Sequence, residues 1–85
     1  MKWNEILRNE KERVALLVSE SNTQFVVAFD YDPDAPEDQK WHHGHYFQFW
    51  MDSEKKTEVL ANAMDLYRSM TDSRYISRLR LEEIA

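Results

Sequence analysis

Two apolar runs separated by a polar break dominate the pattern of this chain. The first run is Phe25-Val26-Val27-Ala28-Phe29, and the second is an aromatic and histidine-rich run from Trp41 to Trp50. Both runs are rich in the β-branched and aromatic residues that favour strands, whereas the break holds two prolines and four aspartates that cannot continue a ladder. The pattern predicts a β-hairpin from Gln24 to Trp50 with residues 30–39 as its loop.

Side-chain alternation predicts which residues of the hairpin share a face. One face collects most of the large apolar side chains of both strands together with two histidines. Its residues are Phe25, Val27, Phe29, Tyr31, Trp41, His43, His45, Phe47 and Phe49. Pairing Tyr31 with Trp41 brings these residues together, and it places Asp30 opposite His42 and Val26 opposite Tyr46 on the other face. We expect the first face to be the core and the other face to be largely solvated.

Helical spacing predicts a helix on each side of the sheet-forming residues. Trp3, Ile6 and Leu7 recur at this spacing, which predicts a short amphipathic helix ending near Glu12. The compact apolar run that follows predicts a strand over residues 13–19, although continuation of the first helix through this run is an alternative. After the hairpin, Asp52 and Ser53 are favourable N-cap residues. The apolar stripe beyond them predicts the main covering helix: Val59, Leu60, Ala63, Met64, Leu66, Tyr67 and Met70.

These elements predict one small α+β domain over residues 1–85. Its expected architecture is a three-stranded antiparallel sheet in the order α-β-β-β-α, with the helices mainly on one face and a short C-terminal helical segment over residues 75–84. A chain of 85 residues can bury one modest core but not a deep, enclosed active site as well. We therefore expect a non-enzymatic protein without a cofactor.

Cysteine usage and hydropathy bear on where the protein acts. The chain has no cysteine, so neither a disulfide framework nor a thiolate metal site is available. No apolar run reaches the length of a membrane span, and the residues after Met1 lack the apolar segment of a signal peptide. These features favour a cytoplasmic location.

The net charge of -5 is concentrated in one short segment. Residues 30–38, termed the acidic loop, contain no basic residue, and the rest of the chain carries equal numbers of acidic and basic residues. The acidic side chains of this loop are Asp30, Asp32, Asp34, Glu37 and Asp38. This distribution argues against neutralisation of nucleic-acid phosphates and favours a larger protein with a basic surface as the partner.

Three other patterns suggest binding sites. His43 and His45 are two residues apart on a predicted strand and can reach one metal ion, although a third ligand is missing from that face. The sequence Asp30-x-Asp32-x-Asp34 begins like an EF-hand loop, but Ala35 and Trp41 stand where that loop requires glycine and glutamate. Tyr46 and Trp50 are aromatic residues expected on the outer face, where they either anchor a partner or are covered by a terminal segment.

Two resemblances accompany these patterns. Phe25-Val26-Val27-Ala28, followed by Trp41, Gly44, Tyr46-Phe47 and a helix, resembles short uncharacterised proteins of bacterial mobile elements, and this likeness implies no activity. The element order and acidic bias are also similar to small phage-encoded anti-CRISPR proteins that imitate DNA. That resemblance implies inhibition of a nucleic-acid-binding enzyme.

The preferred interpretation is an interaction protein that docks through the acidic loop, with Tyr46 and Trp50 as further contact residues. The alternative is a metal-binding or metal-sensing protein that uses His43, His45 and loop carboxylates.

Overall fold

The computed structural model describes residues 2–72, which form an antiparallel sheet and one α-helix. The elements are β1 (Trp3–Asn9), β2 (Val14–Ser19), β3 (Gln24–Phe29), a 3-10 turn (Glu37–Gln39), β4 (His43–Gln48) and α1 (Ser53–Thr71). The strands lie side by side in chain order, β1-β2-β3-β4. The α+β class is confirmed, but the described sheet has four strands instead of three. The helix predicted over residues 75–84 lies outside the described residues.

The prediction of a helix at the N-terminus is wrong, because Trp3–Asn9 is the edge strand β1. Its pairing with β2 shifts by one residue between Glu5 and Leu7, which marks a β-bulge. Trp3 therefore lies on one face of the sheet and Leu7 on the other, whereas an unbroken strand would place both on the same face. The apolar residues of β1 therefore do not share one face, although their spacing in the sequence resembles that of a helix.

The strand predicted over residues 13–19 is confirmed as β2, and the alternative of a longer first helix is wrong. The predicted register of the central hairpin is also confirmed for its paired residues, because Gln24 pairs with Gln48 and Val26 with Tyr46. The ladder ends at Phe29 and His43. No ion pair joins Asp30 and His42 within residues 2–72.

The predicted N-cap and covering helix are confirmed. The Asp52 side chain accepts hydrogen bonds from the backbone N–H groups of Glu54 and Lys55, so α1 begins at Ser53. The helix packs on β2, β3 and β4, and we call the surface it covers the helix face. The core there consists of Val14, Leu16, Phe25, Val27, Phe49, Ala63 and Tyr67. Met70, predicted to belong to the apolar stripe, is instead exposed. No helix within residues 2–72 is long and apolar enough to cross a membrane.

The opposite face, called the loop face, is not solvated as predicted. It holds a second buried cluster of Ala15, Leu17, Val26, Ala28 and Tyr31, with Trp3 and Trp41 packed against it. Tyr31 and Trp41 were expected on the helix face. Asp30 has a φ of 53°, which ends the regular alternation of β3 and turns the next residue to the other side of the sheet. Tyr31 and Trp41, from outside the paired strands, and Trp3, from β1, thereby cover the loop face.

Candidate functional site

The acidic loop is fixed to the sheet at several points. The Tyr31 N–H donates to the Arg13 carbonyl at 2.9 Å, and the Asp32 N–H donates to the Lys40 carbonyl at 2.8 Å. At the far end of the loop, the Trp3 N–H donates to Glu37 Oε1 at 3.2 Å. The loop therefore begins beside the turn that precedes β2 and ends beside the start of β1.

The buried side chain of Tyr31 also holds the beginning of the loop against the sheet. Its hydroxyl donates to Glu5 Oε2 at 2.9 Å. Burial, together with this hydrogen bond to a carboxylate, raises the pKa of Tyr31 to about 12. The phenol therefore stays protonated and keeps donating throughout the neutral range.

All five carboxylates of the acidic loop are exposed, as expected for a docking surface. Asp32 also has a local role, because its Oδ1 accepts from the Asp34 N–H at 3.0 Å and closes a tight turn. Asp32 and Asp34 line a cleft of about 480 Å³ together with Arg8 and Arg13. The first half of the loop thus shares a surface with Arg13 and with Arg8, which is already paired with Glu5 and Glu10.

The second half of the loop borders a smaller cleft of about 220 Å³. We call it the aromatic cleft, and its lining consists of Trp3, Glu37, Asp38, Lys40, Trp41 and Tyr46. The ring centroids of Trp3 and Trp41 are 5.5 Å apart at an interplanar angle of 77°. Trp3 and Tyr46 are 6.1 Å apart at 58°. The three rings therefore meet at steep angles and form a corner.

The position of Trp41 depends on its neighbours on β4. Its indole N–H donates to the Tyr46 hydroxyl at 3.0 Å, which joins two walls of the cleft. Gly44 lies beside the indole, and a Cβ at this position would be 3.5 Å from Trp41 Nε1 and only 2.8 Å from Val26 Cγ2. The absence of a side chain at Gly44 therefore gives Val26 the space it occupies, whereas the indole would be in ordinary van der Waals contact with such a Cβ.

Glu37 is the best-connected carboxylate of the aromatic cleft. The hydrogen bond from the Trp3 amide, followed by the nearby Lys40 ammonium, lowers the pKa of Glu37 from its ordinary value of 4.5. Lys40 Nζ lies 3.4 Å from Glu37 Oε2. Asp38 makes no hydrogen bond or ion pair with any residue in the described range. The cleft thus carries two carboxylates and one ammonium that is paired with Glu37.

The two aromatic residues proposed as contact residues lie in different places. Tyr46 is 53% exposed and belongs to the aromatic cleft. Trp50 is 65% exposed and follows β4, where its N–H donates to the Thr23 carbonyl at 3.0 Å. Trp50 and the next residue, Met51, have φ values of 51° and 68°, so the turn between β4 and α1 directs both side chains outward. Trp50 therefore does not line the aromatic cleft to which Tyr46 belongs.

The predicted histidine pair lies on the helix face beyond the area that α1 covers. Both His43 and His45 are exposed, and the His45 ring contacts Phe29 edge-on at 5.5 Å. Within residues 2–72 there is no group of three or more histidine, cysteine or acidic side chains placed to hold a metal ion. Glu37 and Asp38 instead line the aromatic cleft with Trp3 and Trp41.

Sequence reasoning missed three residues of the aromatic cleft: Trp3, Lys40 and Trp41. Trp3 was placed on a helix, and Trp41 was placed in the core of the helix face. The residue type itself was a signal. Tryptophan has a large apolar ring and a polar N–H, so Trp3 and Trp41 both suit half-buried positions with a polar edge. Their meeting point could not be read from the sequence, since it depends on the path of the loop across the sheet.

Comparison of the chain with protein-family models, with curated proteins and with solved structures gives no significant match. The proposed function below therefore rests on the acidic loop and the aromatic cleft alone.

Proposed function

We propose that this protein is a non-enzymatic interaction module whose acidic loop binds a basic surface on a larger protein. One observation carries the proposal: the five loop carboxylates are all exposed although the loop is held at both ends, by the hydrogen bond from the Tyr31 N–H to the Arg13 carbonyl before β2 and by that from the Trp3 N–H of β1 to the Glu37 side chain. An anchored loop loses little conformational entropy on binding. Exposed charges of one sign increase the association rate and select a partner of opposite sign.

A nucleic-acid-binding enzyme is the kind of partner that best fits this chemistry. Such enzymes carry basic surfaces that neutralise phosphates, and a protein with fixed carboxylates can occupy the same surface. Binding there would block access of the nucleic acid, so the module would act as an inhibitor that mimics nucleic acid. The metal-binding alternative has no comparable support, because His43 and His45 do not come together with loop carboxylates in a group of three or more ligands within residues 2–72.

The test uses a loop variant carrying Asp32→Asn, Asp34→Asn and Asp38→Asn. Glu37 is left unchanged because its carboxylate holds the start of β1. Asparagine at position 32 keeps an oxygen that can close the local turn. A matched control carries Glu12→Gln, Glu20→Gln and Glu58→Gln, which removes the same charge from exposed sites elsewhere.

Wild type, loop variant and control variant are immobilised and exposed to lysate of the source organism, and retained proteins are identified by mass spectrometry. We expect a protein that the wild type and the control retain and that the loop variant loses.

With the purified partner, the association rate of the loop variant should fall at least about 10-fold at low salt, and the difference should shrink at high salt. A DNA duplex should compete for the partner. A partner retained equally by all three proteins, with equal salt dependence, would overturn the proposal.

A further inference from the structure

The aromatic cleft has a chemistry that differs from that of the rest of the acidic loop. Its walls are three aromatic rings, contributed by β1, by the segment before β4 and by β4 itself. Two carboxylates, from Glu37 and Asp38, stand at its edge. Aromatic faces attract cations through their quadrupole, and carboxylates attract them through their charge. Both components therefore favour a positively charged ligand and disfavour an anion.

The arrangement of the rings narrows the shape of that ligand. A flat aromatic ligand needs parallel ring faces between which it can stack. The rings here meet at 77° and 58° and form a corner, which suits a rounded group that touches several faces at once. A volume of about 220 Å³ is smaller than the roughly 300–1,000 Å³ of pockets for drug-sized ligands. The cleft is suited to a single headgroup or one side-chain end.

The strength with which water hydrates a cation determines which cation binds best in the aromatic cleft. An unmodified ammonium is compact and strongly hydrated, so its transfer to aromatic walls is costly. An alkylated ammonium spreads its charge over methyl groups, loses water more easily and offers apolar surface to the rings. Lys40 already places an ordinary ammonium at the edge of the cleft, 3.4 Å from Glu37 Oε2. The aromatic corner itself is therefore left to a more weakly hydrated cation.

We propose that the aromatic cleft binds an alkylated ammonium group, presented either by a methylated lysine side chain of a protein or by a choline-type small molecule. The methylated-lysine source rests on the proposed function, because it makes the cleft part of the partner-binding surface. Binding of the free cation does not depend on any partner, so the two proposals can fail separately.

The positions of the three tryptophans provide the central experiment. Trp3 and Trp41 line the cleft, whereas Trp50 lies outside it. The protein is titrated with tetramethylammonium chloride while the indole N–H signals are followed by NMR, and sodium chloride at equal ionic strength is the control. We expect saturable shifts of the Trp3 and Trp41 signals only, and none with sodium. Absence of saturable shifts, or equal shifts of all three indoles, would overturn the proposal.

Variants of the cleft and one control outside it test the role of the rings and charges. Tyr46→Leu should weaken binding at least about 5-fold, and Tyr46→Phe should retain most of it, because the ring supplies the attraction. Trp50→Leu is the matched control and should leave the affinity unchanged. Lys40→Gln removes a competing cation and should strengthen binding about 3-fold. Equal affinity of Tyr46→Leu and wild type would contradict binding in this cleft.

Two further titrations separate charge from shape and identify the source of the ligand. The neutral isostere of choline, in which carbon replaces nitrogen, should bind at least about 5-fold more weakly than choline. A short peptide containing trimethyllysine is compared with the same peptide containing unmodified lysine. Tighter binding of the trimethyllysine peptide than of choline indicates a protein source, and the reverse indicates a small molecule. Equal binding of choline and its neutral isostere would refute recognition of a cation.

Discussion

At the scale of single residues, the rings of Phe25 and Phe49 form the centre of the helix-face core. Their centroids are 4.8 Å apart, and both side chains are fully buried. Phe47 pairs with Phe25 across the hairpin but is only half-buried. Two phenylalanines separated by one residue therefore have different surroundings, because β4 ends between them and only Phe49 lies entirely beneath neighbouring side chains.

This difference predicts unequal costs of truncation. Phe49→Ala should lower the free energy of unfolding by about 3 to 5 kcal/mol, since it removes a fully buried ring and leaves a cavity. Phe47→Ala should cost less, about 1 to 2 kcal/mol, because part of its ring is already in contact with water. Urea denaturation of both variants measures the two values. A larger loss for Phe47→Ala would contradict the burial of these two rings.

At the scale of elements, α1 depends on its N-terminal cap. Asp52 Oδ1 accepts from two backbone N–H groups that have no partner within the helix, at 3.0 and 3.1 Å. The negative charge also interacts favourably with the positive end of the helix dipole. The cap follows directly after the turn at Trp50 and Met51, so it fixes the point at which the chain turns from the sheet into the helix.

Asp52→Ala should therefore destabilise the protein by about 1 kcal/mol, whereas Asp52→Asn should keep most of the stability because its oxygen still accepts. Ser53→Ala is the matched control, since this neighbouring side chain is exposed and its replacement should change stability by less than about 0.5 kcal/mol. Thermal and urea unfolding of the three variants provide the comparison. Equal losses for Asp52→Ala and Ser53→Ala would show that the cap contributes nothing specific.

At the scale of the whole molecule, Glu37 connects two parts of the chain that are far apart in sequence. Its carboxylate accepts from the Trp3 amide and thereby joins the end of the acidic loop to the first strand. This contact helps to bring Trp3 and Trp41 together over the loop face. The aromatic cleft and the cover of the second buried cluster therefore depend on the same contact.

The lowered pKa of Glu37 makes this contribution pH-dependent. Above the ordinary value of 4.5 both folded and unfolded chains are ionised, and the stabilisation is fully present. As the pH falls below that value the unfolded chain takes up the proton first, so the stabilisation is lost as the pH passes through the folded pKa. Glu37→Gln should be less stable than wild type at neutral pH, and the difference should disappear in acid.

Urea unfolding of wild type and Glu37→Gln across this pH range measures the effect. Asp38→Asn is the control, because its carboxylate makes no hydrogen bond within the described residues. A difference between wild type and Glu37→Gln that is the same at acid and neutral pH would contradict a role for the ionised carboxylate.

The sequence alone determined the local features of this protein. The register of β3 with β4, the strand β2, the cap at Asp52 and most of the apolar stripe of α1 each follow from residues close together in the chain or from strict alternation. The exposure of the loop carboxylates was also predictable, because carboxylate side chains are almost never fully buried.

Only the tertiary structure decided what covers the second face of the sheet. A bulge in β1 and a positive φ at Asp30 each interrupt the alternation, and a change of one residue moves a side chain to the opposite face. These two local irregularities place Trp3 and Tyr31 on the loop face, where Trp41 also packs. The aromatic cleft arises there because the loop crosses the sheet to reach the first strand, a long-range contact that no local pattern of residues encodes.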